Sequence, residues 1–127
     1  MTEERLLAET LARLRTEQEV EIETRARPNA PEHRTIIWVV VDDADRVLIR
    51  SYRGASARWY REVLANPACA LWAQGDRIEV IAERATDDDR VAACTKGLSA
   101  KYAGDPATPA MLREDVLGTT LELRQER

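Results

Sequence analysis

Phenylalanine is absent from this sequence, so the aromatic surface available to a core or a ligand comes from three tryptophans and three tyrosines. Histidine occurs once, as His33, in a loop without a nucleophile or metal-ligating residue nearby, which argues against a His-dependent catalytic triad and against a resident metal. The two cysteines, Cys69 and Cys94, are far apart and have no cysteine or histidine beside them. Neither zinc spacing nor a disulfide framework follows, and both read as reduced, small core residues. Long apolar runs are missing too: the longest spans residues 36–41, against the roughly 20 needed to cross a bilayer. The amino terminus, "MTEERLLAET", is acidic and lacks the order of a signal peptide. A cytoplasmic location without a membrane partner is expected. Positive charge is also in deficit. The net charge of −4 argues against general nucleic-acid affinity, which needs a basic face able to neutralise several phosphates.

What is present suffices for one soluble domain over residues 1–127. Thr2, Glu3 and Glu4 followed by Leu7, Leu11 and Leu14 predict an amphipathic helix over about residues 3 to 16. "EVEIETRA" alternates Val20, Ile22 and Thr24 against Glu19, Glu21, Glu23 and Arg25, the period of a half-buried strand. "RTIIWVVV" is a continuous β-branched run, expected as a central strand covered on both faces. "DDAD" makes the turn into "RVLIRSY", a hairpin. Ser56 is placed to cap a helix "ARWYREVLA" whose apolar face holds Trp59, Tyr60, Val63 and Leu64, and "NP" stops it. "ACALWAQ" and "DRIEVIAERA" flank a "GD" turn as a second hairpin. Thr86 with Asp89 gives a capping box for a helix carrying Val91, Cys94 and Leu98. "AMLRED" offers one helical turn and "GTTLELRQ" a closing strand. The order predicts an α+β, mainly antiparallel architecture in which six strands curl into a small barrel with flanking helices.

One stretch concentrates chemistry. In "RSYRGASARWY" a strand gives way to a turn at Gly54 and a helix after Ser56, so unpaired helix-start amides, the Ser56 hydroxyl and Arg50, Arg53 and Arg58 outline an anion site. The plainer alternative has Ser56 capping its own helix and the arginines solvated or paired with Glu62 and the "DDAD" aspartates. Trp38, Trp59 and Trp72 are candidates either for core packing or for stacking on a flat ring, Trp38 foremost. The carboxylate clusters "DDAD" and "TDDDR" fall where turns and helix starts ask for aspartate in any case. Lys96, Lys101 and Tyr102 sit near a helix end, where lysine suits the negative end of the dipole and Tyr102 can line a pocket mouth.

The segment "TIIWVVVDDADRVLIRSYRGASARWYREVLANPACALWAQGDRIEVIAER", residues 35–84, resembles the split β-barrel proteins that bind flavin or the deazaflavin F420, including the deazaflavin-dependent nitroreductases. The carboxyl-terminal third, with "KY" at 101 and 102 and "GTTLEL", resembles an uncharacterised domain family in the same superfamily. The resemblance implies a pyridoxamine-phosphate-oxidase-like, FMN-binding-like split barrel. It also implies FMN or F420 as cofactor, a homodimer, and an oxidoreductase that transfers hydride to a small organic substrate; a non-catalytic protein holding a flavin or another small anionic ligand is the rival. Position by position, Arg53 and Gly54 match a Lys-Gly phosphate turn, followed by Ala55 and Ser56. Arg34 and Thr35 match a cofactor-facing pair, and the backbone at Trp38 and Val39 would lie along the ring. Arg50, Ser51 and Trp59 complete the cofactor side, and Tyr102 falls near a substrate-side tyrosine. The turn is shorter than in the nitroreductases and carries arginine in place of lysine.

Overall fold

The computed structural model describes residues 8–125. Helix α1 (Ala8–Thr16) buries Leu11 and Leu14, the two apolar positions one turn apart. The first part of the expected helix, with Thr2, Glu3, Glu4 and Leu7, lies outside the described residues. Strand β1 (Val20–Thr24) buries Val20, Ile22 and Thr24, as its alternation requires. Glu23, assigned by that alternation to the outer face, is also buried. It is accommodated because Arg77 donates to both of its oxygens, at 3.0 and 2.9 Å, and the Trp72 indole donates at 2.9 Å. These donors hold its carboxyl at about 2, well below the usual carboxylate range.

The apolar run does not form one central strand. It divides into β2 (His33–Ile37) and β3 (Val40–Val41), which occupy opposite ends of a sheet ordered β2-β1-β5-β6-β7-β4-β3. The sheet therefore has seven strands where six were expected, and every pairing in it is antiparallel. The break falls at Trp38 and Val39 because side chains take the Val39 backbone away from any ladder. The Val39 amide donates to the Tyr102 hydroxyl (3.2 Å), and its carbonyl accepts from Lys101 Nζ (2.7 Å). The doubly covered strand is instead β4 (Val47–Ile49), buried throughout. Its Val47 and Ile49 face the larger core, and its Leu48 faces a second core.

The two hairpins form as expected: β3 pairs with β4, and β5 (Ala68–Ala73) with β6 (Asp76–Arg84). Gln74 and Gly75, both at positive φ, make the second turn. Helix α2 (Arg58–Ala65) packs Trp59, Tyr60 and Val63 into the larger core; Leu64, expected on that face, is exposed. Helix α3 (Asp88–Lys101) is capped by Asp87, whose carboxylate accepts from the Arg90 amide, rather than by Thr86 with Asp89. It covers the second core with Cys94, Leu98 and Tyr102. Gly97 on α3 lets Val40 come close, since a Cβ there would lie 3.0 Å from Val40 Cβ. Two short helices, α4 (Thr108–Met111) and α5 (Glu114–Leu117), lead into β7 (Leu121–Gln125), which pairs with both β6 and β4. The whole is an α+β fold, a curled antiparallel half-barrel with flanking helices. Both cysteines are free and buried, and burial pushes the thiols up to about 12 for Cys69 and about 11 for Cys94.

Candidate functional site

The chain that leaves β4 enters a tight turn in which Gly54 sits at φ +72, open to glycine and strained for any other residue. The turn is tied internally. The Gly54 amide donates to the Ser51 carbonyl (3.1 Å), the Ser51 hydroxyl donates to the Gly54 carbonyl (2.7 Å), and the Ser51 amide donates to Thr119 Oγ1 (3.0 Å). A 3-10 turn, Gly54–Ser56, follows and leads into α2. Ser56 does not cap that helix: its hydroxyl donates to the Arg53 carbonyl (3.1 Å), and the N-cap is Ala57, with no side-chain cap bond.

Beside this turn lies a cavity of about 560 Å³, within the range of small-molecule sites. Strand β2 supplies Thr35, Ile36 and Ile37, the break supplies Trp38, the turn supplies Tyr52 and Arg53, and α2 supplies Arg58 and Trp59. Arg50 and Met111 also line it. The buried lining residues (Ile37, Arg50, Ala57, Trp59 and Met111) form the floor, and the exposed ones (Glu19, Ile36, Tyr52, Arg53, Arg58 and Asp105) form the rim.

The rim carries both signs of charge, Arg53 and Arg58 as well as Glu19 and Asp105. Among the described residues, neither the Arg53 nor the Arg58 guanidinium takes part in a salt bridge or a hydrogen bond. The carboxylates offered to them by the plainer alternative take other hydrogen-bond partners, while the Arg58 charge still acts on Glu62 and helps to lower its pKa. Glu62 accepts from Thr24 Oγ1 (2.7 Å) and lies 3.0 Å from His33 Nδ1, and Asp42 takes Arg46 Nε at 2.7 Å.

Of the residues singled out in the sequence, Thr35, Trp38, Arg50, Arg53, Arg58 and Trp59 come together around the cavity. The other expected cofactor-side residues and Tyr102 lie outside its lining. Arg34 stacks over Trp72 (3.8 Å) and reaches Glu21 and Glu32. Val39 is buried at the strand break, Ser51 and Gly54 are buried inside the turn, and Ala55 and Ser56 are exposed. Tyr102 lies beneath the cavity wall, stacked on Trp38 with ring centroids 4.0 Å apart and planes 2° from parallel. Its hydroxyl donates to the Gln18 carbonyl (2.7 Å), and burial pushes it up to about 12.

Sequence reasoning missed two features. One is the Thr24–Glu62–His33 cluster, which ties the start of β2 to α2 and so fixes two cavity walls against each other; a buried carboxylate on a helix's apolar side was its signal. The other is the exposure of Ile36 (60%) and Tyr52 (53%) on the rim. Ile36 belongs to the apolar run that read as fully covered.

Comparison with known proteins follows from this geometry. Residues 10–123 match a family described as an uncharacterized protein conserved in bacteria, DUF2255. No curated protein matches the sequence. Among solved structures, the chain is similar to HutZ, the heme storage protein from Vibrio cholerae. That match has 13% identity and a TM-score of 0.65, over 97% of this chain and 92% of that one. It is also similar to an F420-H2 dependent reductase, FDR-A, at 14% identity and a TM-score of 0.61, over 84% and 93% respectively. A putative pyridoxamine 5'-phosphate oxidase from Listeria innocua matches at 14% identity and a TM-score of 0.59, over 91% and 88%. The shared architecture is the split barrel of the pyridoxamine oxidase and F420-dependent reductase kind.

Proposed function

We propose that this chain, which belongs to the DUF2255 family, holds FMN or F420 in the cavity beside the Gly54 turn and serves as an oxidoreductase toward a small organic substrate. The observation that carries this reading is the pairing of two rim guanidinium groups that form no salt bridge among the described residues, Arg53 and Arg58, with an aromatic wall of Trp38 and Trp59. Guanidinium groups bind phosphate in two-point geometry, and the indoles offer a face to a flat ring. The donor set therefore fits an anionic, planar group. It does not fit a heme iron sought by imidazole, because His33 faces Glu62 and is absent from the cavity lining.

When bound, such a cofactor supplies hydride chemistry, and the protein is left to bind, orient and exclude water. The residues here suit those tasks. Arg53 and Arg58 anchor the charged tail, and Thr35 to Trp38 present an edge-strand backbone. The Tyr102 stack holds Trp38 at a fixed plane. Ile36 and Tyr52, apolar and exposed on the rim, support a second copy of the chain lying over the mouth of the cavity. A homodimer is thus part of the proposal.

Titrating the purified protein with FMN and with F420 while following fluorescence is the direct test. Saturable binding at micromolar ligand is expected, and Arg53→Ala should weaken it by about 1 to 3 kcal/mol as a charge-assisted phosphate contact is lost. No binding of either cofactor would overturn the reading. The rival of a binder without turnover has support in the cavity's lack of a buried acid or base: its carboxylates, Glu19 and Asp105, are both exposed. Reoxidation of the reduced complex by small electrophilic substrates separates the two.

A further inference from the structure

Arg50 heads the fully buried side chains by size, at 1% exposure, and it lines the floor of the cavity. Its Nε donates to Thr120 Oγ1 at 2.9 Å. One terminal nitrogen donates to Thr95 Oγ1 (3.0 Å) and the Met111 carbonyl (3.1 Å), and the other to the Val91 carbonyl (3.0 Å). All four acceptors are neutral, and one of the five guanidinium N–H groups remains uncommitted. No carboxylate of the described residues forms a salt bridge with it, and burial draws its pKa below the usual arginine range. The titratable neighbour that acts on it, Cys94, is a thiol pushed up to about 11 and hence uncharged at neutral pH.

A buried cation without a counter-ion is costly, and native proteins pair such charges or leave them out. Arg90, only partly exposed, obeys that rule by meeting Glu83, Asp87 and Glu122, and even the exposed Arg77 is paired, with the buried Glu23. Arg50 departs from it at the one place where a cavity adjoins it.

We propose that the ligand supplies the missing counter-charge. The cavity selects planar aromatic molecules that carry a negative charge on the inserted part, such as an aromatic carboxylate or a deprotonated ring, over neutral molecules of the same shape. At the floor the field of Arg50 acts through little water, so it is weakly screened by salt. At the rim, Arg53 and Arg58 are exposed and their attraction fades as ionic strength rises. The inference rests on reading the cavity as a ligand site and is independent of which cofactor occupies it.

Naphthoate and its neutral counterpart naphthamide are suitable probes, with binding followed by quenching of tryptophan fluorescence at low and at high ionic strength. Naphthoate should bind about tenfold tighter, the scale of one charge-assisted hydrogen bond. The preference should survive high salt and the Arg53→Ala/Arg58→Ala double variant. It should vanish in Arg50→Met and persist in part in Arg50→Lys. If Arg50→Met does not fold, the wild-type salt series and the rim double variant still decide. Equal affinity for the two probes, no binding of either, or a preference that disappears with salt or with the rim arginines overturns the proposal. Failure of FMN and F420 to bind while naphthoate keeps its advantage would overturn the cofactor reading and leave this one standing.

Discussion

Tyr102→Phe removes a single oxygen from the protein, and the structure specifies what that oxygen does. It donates to the Gln18 carbonyl at 2.7 Å and accepts from the Val39 amide at 3.2 Å. The lost donated bond amounts to about 1 kcal/mol net, and a buried amide left without an acceptor costs a further 1 to 3 kcal/mol or so. Val39 is fully buried, so water does not readily replace the hydroxyl. The phenyl ring keeps the stack on Trp38, which separates this loss from that of the aromatic contact. A destabilisation of about 2 to 4 kcal/mol is therefore expected in urea unfolding, read as a lower midpoint at unchanged slope. The pH dependence gives a second readout. The folded tyrosine titrates near 12 against an ordinary value of 10, so the folded state retains its proton where the unfolded chain has lost it. The resulting stabilisation is fully present below pH 10 and disappears as pH rises through 12. The difference between wild type and variant should shrink over that window. A loss below about 0.5 kcal/mol at neutral pH would refute the claim that this hydroxyl holds the strand break.

Three other substitutions test the fold that frames the site. Glu23→Gln should flatten the acid limb of the stability curve: the carboxyl is held near 2 against an ordinary 4.5, so its contribution is present above pH 4.5 and is lost as pH falls through 2. The amount is on the order of 3 kcal/mol, and equal acid unfolding of the two proteins would count against it. Gly54→Ala meets no atom nearer than Val116 Cγ1 at 3.9 Å, so its cost is the left-handed backbone alone, about 1 to 2 kcal/mol by thermal unfolding. Gly97→Ala sets a methyl 3.0 to 3.2 Å from three Val40 atoms. Overpacking of about 1 to 3 kcal/mol should outweigh the gain in helix propensity, and a stabilised variant would contradict that packing.

Local pattern made much of this fold legible. The alternation in β1, the two hairpins, the helix carrying Cys94 and Leu98, and the closing strand all express side-chain periodicity, which the sequence states directly. Residues 34–41 misled because composition reports burial and not connectivity. What breaks that run is the side chains of Lys101 and Tyr102, more than 60 positions away. Helix caps failed for a related reason: Asp87 and Ala57 took positions for which Thr86 and Ser56 were equally plausible neighbours. For the site, the arginine and tryptophan content of residues 50–59 drew attention to the turn that lies beside the cavity. It did not separate rim from floor, because Arg50 and Arg53 differ by burial and by the partners that α3, α4 and Thr120 bring to Arg50.

The two-residue link between β2 and β3 also bears on how the two cores are divided. Val40 belongs to the core under α3, and Val41 packs against the other one. Successive strand residues point to opposite faces, so Val40 and Val41 must divide between the two cores. Lys101 and Tyr102, by holding the Val39 backbone, set where that strand begins and hence which valine enters which core. The link is thus a point of register as well as a connection, and the cavity wall and the division of the two cores depend on the same contacts.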